Sequence, residues 1–501
     1  MPHDYLLGLD IGSSFVKASL LDAGTGNVAA SASEPAREMA MAAPQPGWAE
    51  QDPRDWWRHA VAAIRRVLSQ SGVQAASVRG VGLSYQMHGL VLVDAHGEPL
   101  RPAIIWCDSR AVAIGEAAFE RIGRVTCLAR VLNSPGNFTA AKLAWVKAHE
   151  PDVFAAADKA MLPGDYIALR LTGRAATTAS GLSEGVLWDF LDRHPSPDVL
   201  EALDLPATLL PELVPTFGLQ GEVDARGAAE TGLAAGTPVT YRAGDQPNNA
   251  FSLRVLHPGE VAATAGTSGV VYAVIDQASW DGASRVNTFL HVTDRPGSPR
   301  YGVLLCVNGT GALYSWLKRL LGGDAVPYDE MNRLSAGVPI GADGVVVLPF
   351  GNGAERSLGN REPGASVHGV SLVRHGRAHL LRAAQEGIVF ALHHGMGIMR
   401  EMGLQATAVR AGRANMFLSP VFSQAFADVS GAVVELFDTD GAQGAARAAG
   451  LGAAVFASEE EAFAGLRPLE RLEPDARRHD HYLDAYGRWF GTLQRQLSAD
   501  S

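Results

Sequence analysis

LGLDIGSSFVKASLLD (residues 7–22) and VAATAGTSGVVYAVID (residues 261–276) align without a gap, Gly12 falling on Gly266, Ser13 on Thr267, Ser14 on Ser268, Val16 on Val270 and Asp22 on Asp276. Each copy reads as a β-hairpin. In the first, apolar runs at 5–10 and 15–22 flank a tight turn at Ile11-Gly12-Ser13-Ser14, the pattern of two strands joined by small turn residues. A hairpin that recurs half-way along a chain implies two similarly built halves. Strands share composition, so chance is the competing explanation of so short a match.

Working outward, the pattern after the first hairpin predicts a helix over 55–71 stopped by Gly72, strands over 78–84 and 90–93, and a largely helical stretch over 152–173. After the second hairpin it predicts strands at 344–349, 408–411 and 433–437, and helices at 378–402, 420–430 and 441–457. Peripheral helices are expected beyond Ser458. Alternating strands and helices argue for an α/β architecture. At 501 residues and 47% hydrophobic content the chain buries large cores, and two domains are expected, 1–253 and 254–501.

The charge balance excludes some functions. A net charge of −11 argues against a general nucleic-acid binder or a protein of anionic membrane surfaces, both of which need a basic face. Local phosphate binding through backbone amides stays open. The three cysteines, Cys107, Cys127 and Cys306, lack metal-ligand spacing and are expected to be buried thiols. No apolar run approaches the ~20 residues of a membrane span. The opening MPHDYLLGLD has no basic signal-type start, so a soluble cytoplasmic protein is expected.

A turn built from Gly12, Ser13 and Ser14 lets consecutive N–H groups and hydroxyls converge on one anion; Gly266, Thr267 and Ser268 repeat the device. An ordinary hairpin turn is the simpler reading of either alone. Asp10, immediately before the first turn, is placed to hold a hydrated Mg²⁺ against phosphates. Lys17 on the returning strand is either a phosphate partner or an exposed strand residue. Asp245, in RAGDQPNNA, lies on a Gly- and Pro-flanked segment between the two hairpins; it is either a turn former or a catalytic carboxylate. No Walker G-x-x-x-x-G-K-[ST] and no G-x-S-x-G nucleophile elbow occurs.

The segments LGLDIGSSFVKASLLD, SYQMHGLVLVD, AIIWCDSR, AGDQPNNAFS and TAGTSGVVY, in that order, resemble the FGGY carbohydrate kinases, and within them the xylulokinases. The resemblance runs from residue 5 to about residue 456. It implies two actin-like (ribonuclease H-like) domains with a cleft between them: an N-terminal sugar-binding and catalytic domain and a C-terminal nucleotide-binding domain. It implies ATP and Mg²⁺ as cofactors, a small sugar as substrate, no nucleic-acid or membrane partner, and a homodimer.

Position by position, the resemblance makes Asp245 the catalytic base and Asp10, with Gly12, Ser13 and Ser14, the first phosphate and Mg²⁺ site. Gly266, Thr267 and Ser268 become the second phosphate loop. Gln86, Met87 and His88, with Trp106, Asp108 and Arg110, fall at sugar-side positions, and Gly311 in G-A-x-x-x-W lies near the nucleotide. The family's G-G-G-A-x-S adenosine loop is replaced by AGRANMFLSP (411–420), leaving Gly412 and Asn415 as its counterparts. An aspartate common in the family near 177–181 is absent. The implied reaction is ATP-dependent phosphorylation of the 5-hydroxyl of D-xylulose. Another ketose, a pentitol or glycerol is the alternative substrate. A catalytically silent actin-like nucleotide-binding module is the alternative of another class.

Overall fold

The computed structural model describes residues 3–499. The chain packs as two units. One gathers Met1–Arg254, Phe289–Tyr301 and Thr439–Leu466; the other gathers Val255–Thr288, Gly302–Asp438 and Arg467–Ser501.

In the first unit, β1 (Tyr5–Ile11) pairs antiparallel with β2 (Val16–Asp22), and β3 (Val28–Glu34) follows on the outer side. On the other side β1 pairs in parallel with β4 (Val78–Tyr85). Beyond it lie β5 (Phe217–Glu222) and β6 (Pro238–Gly244), giving the order β3-β2-β1-β4-β6-β5. The connection from β3 to β4 contains α1 (Pro53–Ser71). Asp52 caps its start by accepting from Arg54 N at 2.9 Å, and Pro53 needs no N–H there. Trp56, Ala60, Ala63, Ile64 and Val67 recur at helical spacing and face the core. Gly72, at φ 67°, ends the helix in the left-handed region.

The second unit repeats this plan. β7 (Val261–Ala265) pairs antiparallel with β8 (Gly269–Ile275) and in parallel with β10 (Ala408–Gly412), with β9 (Tyr301–Val307) outside β8. β11 (Val433–Phe437) pairs in parallel with β10, and β12 (Pro468–Leu472) is antiparallel to β11. The order β9-β8-β7-β10-β11-β12 repeats that of the first sheet, with one more strand, Asn287–Leu290, outside β9, and the two hairpins seen as a repeat hold equivalent central places.

The hairpins, α1 and the long helix Arg377–Glu401 lie within a residue or two of their predicted ends. Three expectations need correction. The stretch 152–173 is two helices, Pro151–Ala156 and Pro163–Thr172, around a strand Lys159–Met161 that pairs with Val91–Val93. Pro163 disfavours a helical residue before it, so the second helix starts afresh there. The helix predicted over 441–457 stops at Gly452. The region after Ser458 is not merely peripheral: in the helix Ala476–Ala499, Tyr482, Trp489 and Leu493 are buried, and Trp489 Nε1 donates to Val347 O at 3.0 Å. Of the cysteines, only Cys127 is fully buried; Cys107 is exposed and Cys306 half-buried.

One close approach fixes the first unit. The helix α3 (Gly441–Gly452) lies so tightly on the sheet that a Cβ at Gly8 would sit 1.8 Å from Ala442 O, and one at Gly82 would sit 2.0 Å from Ala445 O. Only glycine fits beneath the helix backbone. Gly82→Val is expected to destabilise the fold by about 3 kcal/mol or more. Gly72→Ala, with nothing within 4 Å of the added carbon, is expected to cost only about 1–2 kcal/mol, through its left-handed backbone. Urea unfolding of the two variants checks the ranking.

Candidate functional site

The end of β1 delivers Asp10 to one point. Cross-strand register sets Lys17 opposite it on β2 and Ser84 opposite it on β4. Ser84 Oγ donates to Asp10 Oδ1 at 2.8 Å. The N-terminus of α3 arrives at the same carboxylate, so that a Cβ at Gly441 would be 2.6 Å from Asp10 Oδ2. Asp440, whose side chain accepts from Gln443 N at 2.9 Å, caps that helix. Burial raises the Asp10 carboxyl above its ordinary range; Lys17 and the Ser84 hydroxyl oppose the rise, and Asp440 adds to it.

The turn after Asp10 closes through Gly12 N donating to Phe15 O at 3.0 Å. Gln51 Nε2 donates to Ser13 O at 2.7 Å, and the half-exposed Trp106 brings its Nε1 to 3.5 Å from Ser13 Oγ. Trp106 thus stands beside the first loop.

Asp245 follows β6 directly and opens the helix α2 (Asp245–Ser252). Its carboxyl is pushed up to about 7, first by desolvation and then by the negative charge of Asp10. Two carboxylates that raise one another's affinity for a proton also raise their affinity for a cation. Among the described residues no group of three or more His, Cys, Asp or Glu side chains is arranged to hold a metal ion. The donor set is one of few, hard oxygen ligands. That fits Mg²⁺, which keeps several waters and takes remaining ligands from phosphate.

Gln86, Met87 and His88 follow β4. Gln86 is 2% exposed, its backbone N donates to Ile11 O at 2.8 Å, and its Oε1 is buried without a hydrogen bond. His88 adopts φ 61°. Its Nδ1 lies 2.8 Å from Glu184 O, an acceptor only, so Nδ1 carries the proton. The His88 ring meets Phe138 edge-on at 4.8 Å. Lys142, fully buried, donates from Nζ to His88 O at 2.8 Å and to Ile105 O at 2.9 Å, tying this segment to the one that carries Trp106. Desolvation lowers the Lys142 ammonium to about 7.

Asp108 and Arg110 behave differently from the other sugar-side candidates. Asp108 is 0% exposed and accepts from Ala49 N at 2.6 Å and from Arg110 N, Nε and Nη2. Arg110 also pairs with Glu50 at 2.7 Å and lies over Trp48 at 3.8 Å. Their polar groups serve one another.

The second unit assembles its own candidates. Gly311 N donates to Gly266 O at 2.8 Å, and Ala312 N donates to Thr267 O at 3.1 Å. The start of the helix Thr310–Leu320 therefore clamps the second glycine–hydroxyl turn. A Cβ at Gly311 would lie 2.3 Å from Gly266 O, so this clamp requires glycine. Asn415, at φ 54°, brings its Nδ2 to 3.5 Å from where a Cβ on Gly266 would stand. Gly412 ends β10 and accepts from Ala414 N at 2.8 Å. Gly266, Thr267, Ser268, Gly311 and Asn415 thus form one cluster, and Gly412 begins the loop that carries Asn415.

Residues 5–252 match the N-terminal domain of the FGGY family of carbohydrate kinases. The chain is 32% identical over 483 residues to a xylulose kinase of Escherichia coli, covering 95% of this chain and 96% of that one. The chain belongs to the FGGY family. It is an ATP-dependent carbohydrate kinase. An L-xylulose/3-keto-L-gulonate kinase of Escherichia coli is also 32% identical, over 97% of this chain and 96% of that one. The crystal structure of xylulose kinase from Rhodospirillum rubrum superposes with a TM-score of 0.86 at 28% identity, covering 99% of both chains. The α/β fold of each unit is accordingly the actin-like, ribonuclease H-like one of this family. Among the described residues no helix is long and apolar enough to cross a membrane.

Ser84, Asp440, Lys142 and Glu184 escaped the sequence reading. Asp440-Gly441 carried a signal, an N-cap residue before a predicted helix. Lys142 carried none, lying unmarked inside a helix. Lys142→Met is expected to lower stability by about 1–3 kcal/mol, because the His88 carbonyl loses its buried donor. Sugar KM should rise with it. Urea unfolding and initial rates check the two effects together.

Proposed function

We propose that the protein transfers the terminal phosphoryl group of Mg·ATP to the primary 5-hydroxyl of D-xylulose, with Asp245 as the general base. One observation carries the catalytic assignment. Asp245 stands at the start of a helix directly after a central strand, near Asp10, with a carboxyl raised to about 7. A base of that strength holds a hydroxyl proton near neutral pH. Full-length relatives named xylulose kinase support the choice of sugar.

In this reading Asp245 accepts the hydroxyl proton and aims the oxygen along the line of attack. The transition state is loose, so positioning and charge matter more than base strength. The Gly12-Ser13-Ser14 turn and the Gly266-Thr267-Ser268 turn each offer N–H and hydroxyl donors to phosphate oxygens. Asp10 would hold Mg²⁺, which when bound would offset phosphate charge. Gln86, Met87, His88 and Trp106 form the sugar side. Asp108 and Arg110 brace that side instead of touching sugar, since their groups are mutually satisfied. Gly311 sets the second loop, and Gly412 and Asn415 border the adenosine. The relative named L-xylulose/3-keto-L-gulonate kinase favours a second reading, in which the acceptor is another open-chain ketose.

The test is ADP release with Mg·ATP across D-xylulose, L-xylulose, D-ribulose, L-ribulose, xylitol and glycerol. D-xylulose is expected to stimulate most strongly; stronger stimulation by another of them moves the substrate to it. Asp245→Asn is expected to lower kcat by about 10²–10⁴ while nucleotide still binds; unchanged turnover overturns the base. The base works ionised, so kcat/KM should fall as pH drops through the Asp245 pKa. A cation at Asp10 opposes the protonated form of Asp245. The acid limb should therefore lie at or below about 7 and move lower as Mg²⁺ is raised.

A further inference from the structure

Glu184 ends the helix Ala179–Glu184 and is 1% exposed, although it is a carboxylic acid. Its backbone oxygen holds His88 Nδ1. Its side chain reaches further. The position that a Cβ on Gly244 would occupy lies 2.2 Å from Glu184 Oε2 and 2.6 Å from Met87 Cγ. The carboxyl therefore rests against the backbone of the residue just before Asp245, in contact range of the Met87 side chain. The hydroxyl of the fully buried Tyr85 and the backbone N–H of His88 lie beside the Glu184 carboxyl and favour its ionised form, while Glu184 Oε1 itself has no well-formed hydrogen bond.

Such an arrangement is costly unless something completes it. A buried, unpaired polar atom loses about 1–3 kcal/mol of hydration. The Tyr85 hydroxyl and the His88 backbone N–H relieve only part of that cost. Asp245 and Asp165 face Glu184 with negative charge, and Arg242, 3.2 Å from Asp165, answers that acid. Burial first, and then the charge of Asp245, raise the Glu184 carboxyl well above the ordinary range, against the lowering effect of Tyr85 and His88. A polyol hydroxyl, donor and acceptor at once, complements a carboxyl in either protonation state.

We propose that Glu184 is a specificity-determining sugar contact, its carboxyl hydrogen-bonding a hydroxyl of the acceptor next to the one that Asp245 serves. The inference rests on the reading of Asp245 and 86–88 as the sugar site. It assigns to this chain a recognition group that the phosphate loops and Asp245 do not need for phosphoryl transfer itself. A site built to pair a hydroxyl rejects the analogue that lacks it far more sharply than an apolar site does.

The experiment compares Glu184→Leu and Glu184→Gln with the parent enzyme. It uses the best ketopentose and its single-deoxy analogues, reading KM, kcat and calorimetric sugar affinity. Glu184→Leu is expected to weaken the parent sugar about tenfold to a hundredfold. It should leave one deoxy analogue nearly unaffected, since the lost partner and the lost hydroxyl are the same contact. Glu184→Gln, which keeps a donor and an acceptor in the same shape, is expected to restore most of the affinity. Weakening of every analogue by the same factor, or no weakening at all, overturns the proposal. Should Glu184→Leu not fold, the ranking of analogues by Glu184→Gln decides: an altered ranking supports the contact and an unchanged one overturns it. Full turnover in Asp245→Asn alongside an altered ranking in the Glu184 variants removes the base and keeps the contact. The reverse result removes the contact alone.

Discussion

The seating of α3 on the sheet of the first unit is the constraint from which the rest of that unit follows. Gly8 on β1 and Gly82 on β4 lie under the helix with no room for a Cβ, so backbone meets backbone. That contact aims the N-terminus of α3 at Asp10. A helix start carries partial positive charge and unpaired N–H groups. Asp10 therefore sits between Lys17, Ser84 and a helix N-terminus, with Asp440 and Asp245 as opposing charges. The balance is one of restrained carboxylates gathered at one point.

Around that centre the polar groups divide by how completely they are satisfied. Asp108 and Arg110 pair with one another, Asp108 also with Ala49 N and Arg110 with Glu50 and two indoles, and together they form a rigid brace. Lys142 joins two segments through their carbonyl oxygens. Gln86 Oε1 and Glu184 Oε1 are the contrast, buried and without hydrogen bonds. Natural cores rarely tolerate such atoms.

The second unit applies the same hairpin to a different end. Its turn is clamped from outside by the backbone of Gly311 and Ala312 and bordered by Asn415, where the first turn is preceded by the Asp10 carboxylate. One strand order serves twice, and the residues around the two turns make the two uses different.

Much of this was legible in the sequence because its causes are local. The paired hairpins announced two equivalent sheets, since a small-residue turn between apolar runs needs no distant partner to be recognised. Asp10 and Asp245 stood out because each adjoins a strand end and a glycine. Gly311 and Asn415, which the motif resemblance sets on the nucleotide side, stand beside the second loop. Only the tertiary structure showed that Ser84, Asp440 and α3 converge on Asp10, that Asp108 and Arg110 satisfy each other, and that Lys142 and Glu184 are buried beside the sugar-side segment. Those facts depend on which strands become neighbours and on how closely a helix lies on them. Pattern along the chain fixes what each segment can form, whereas desolvation and hydrogen-bond completion are properties of the packed neighbours, and these are distant in sequence.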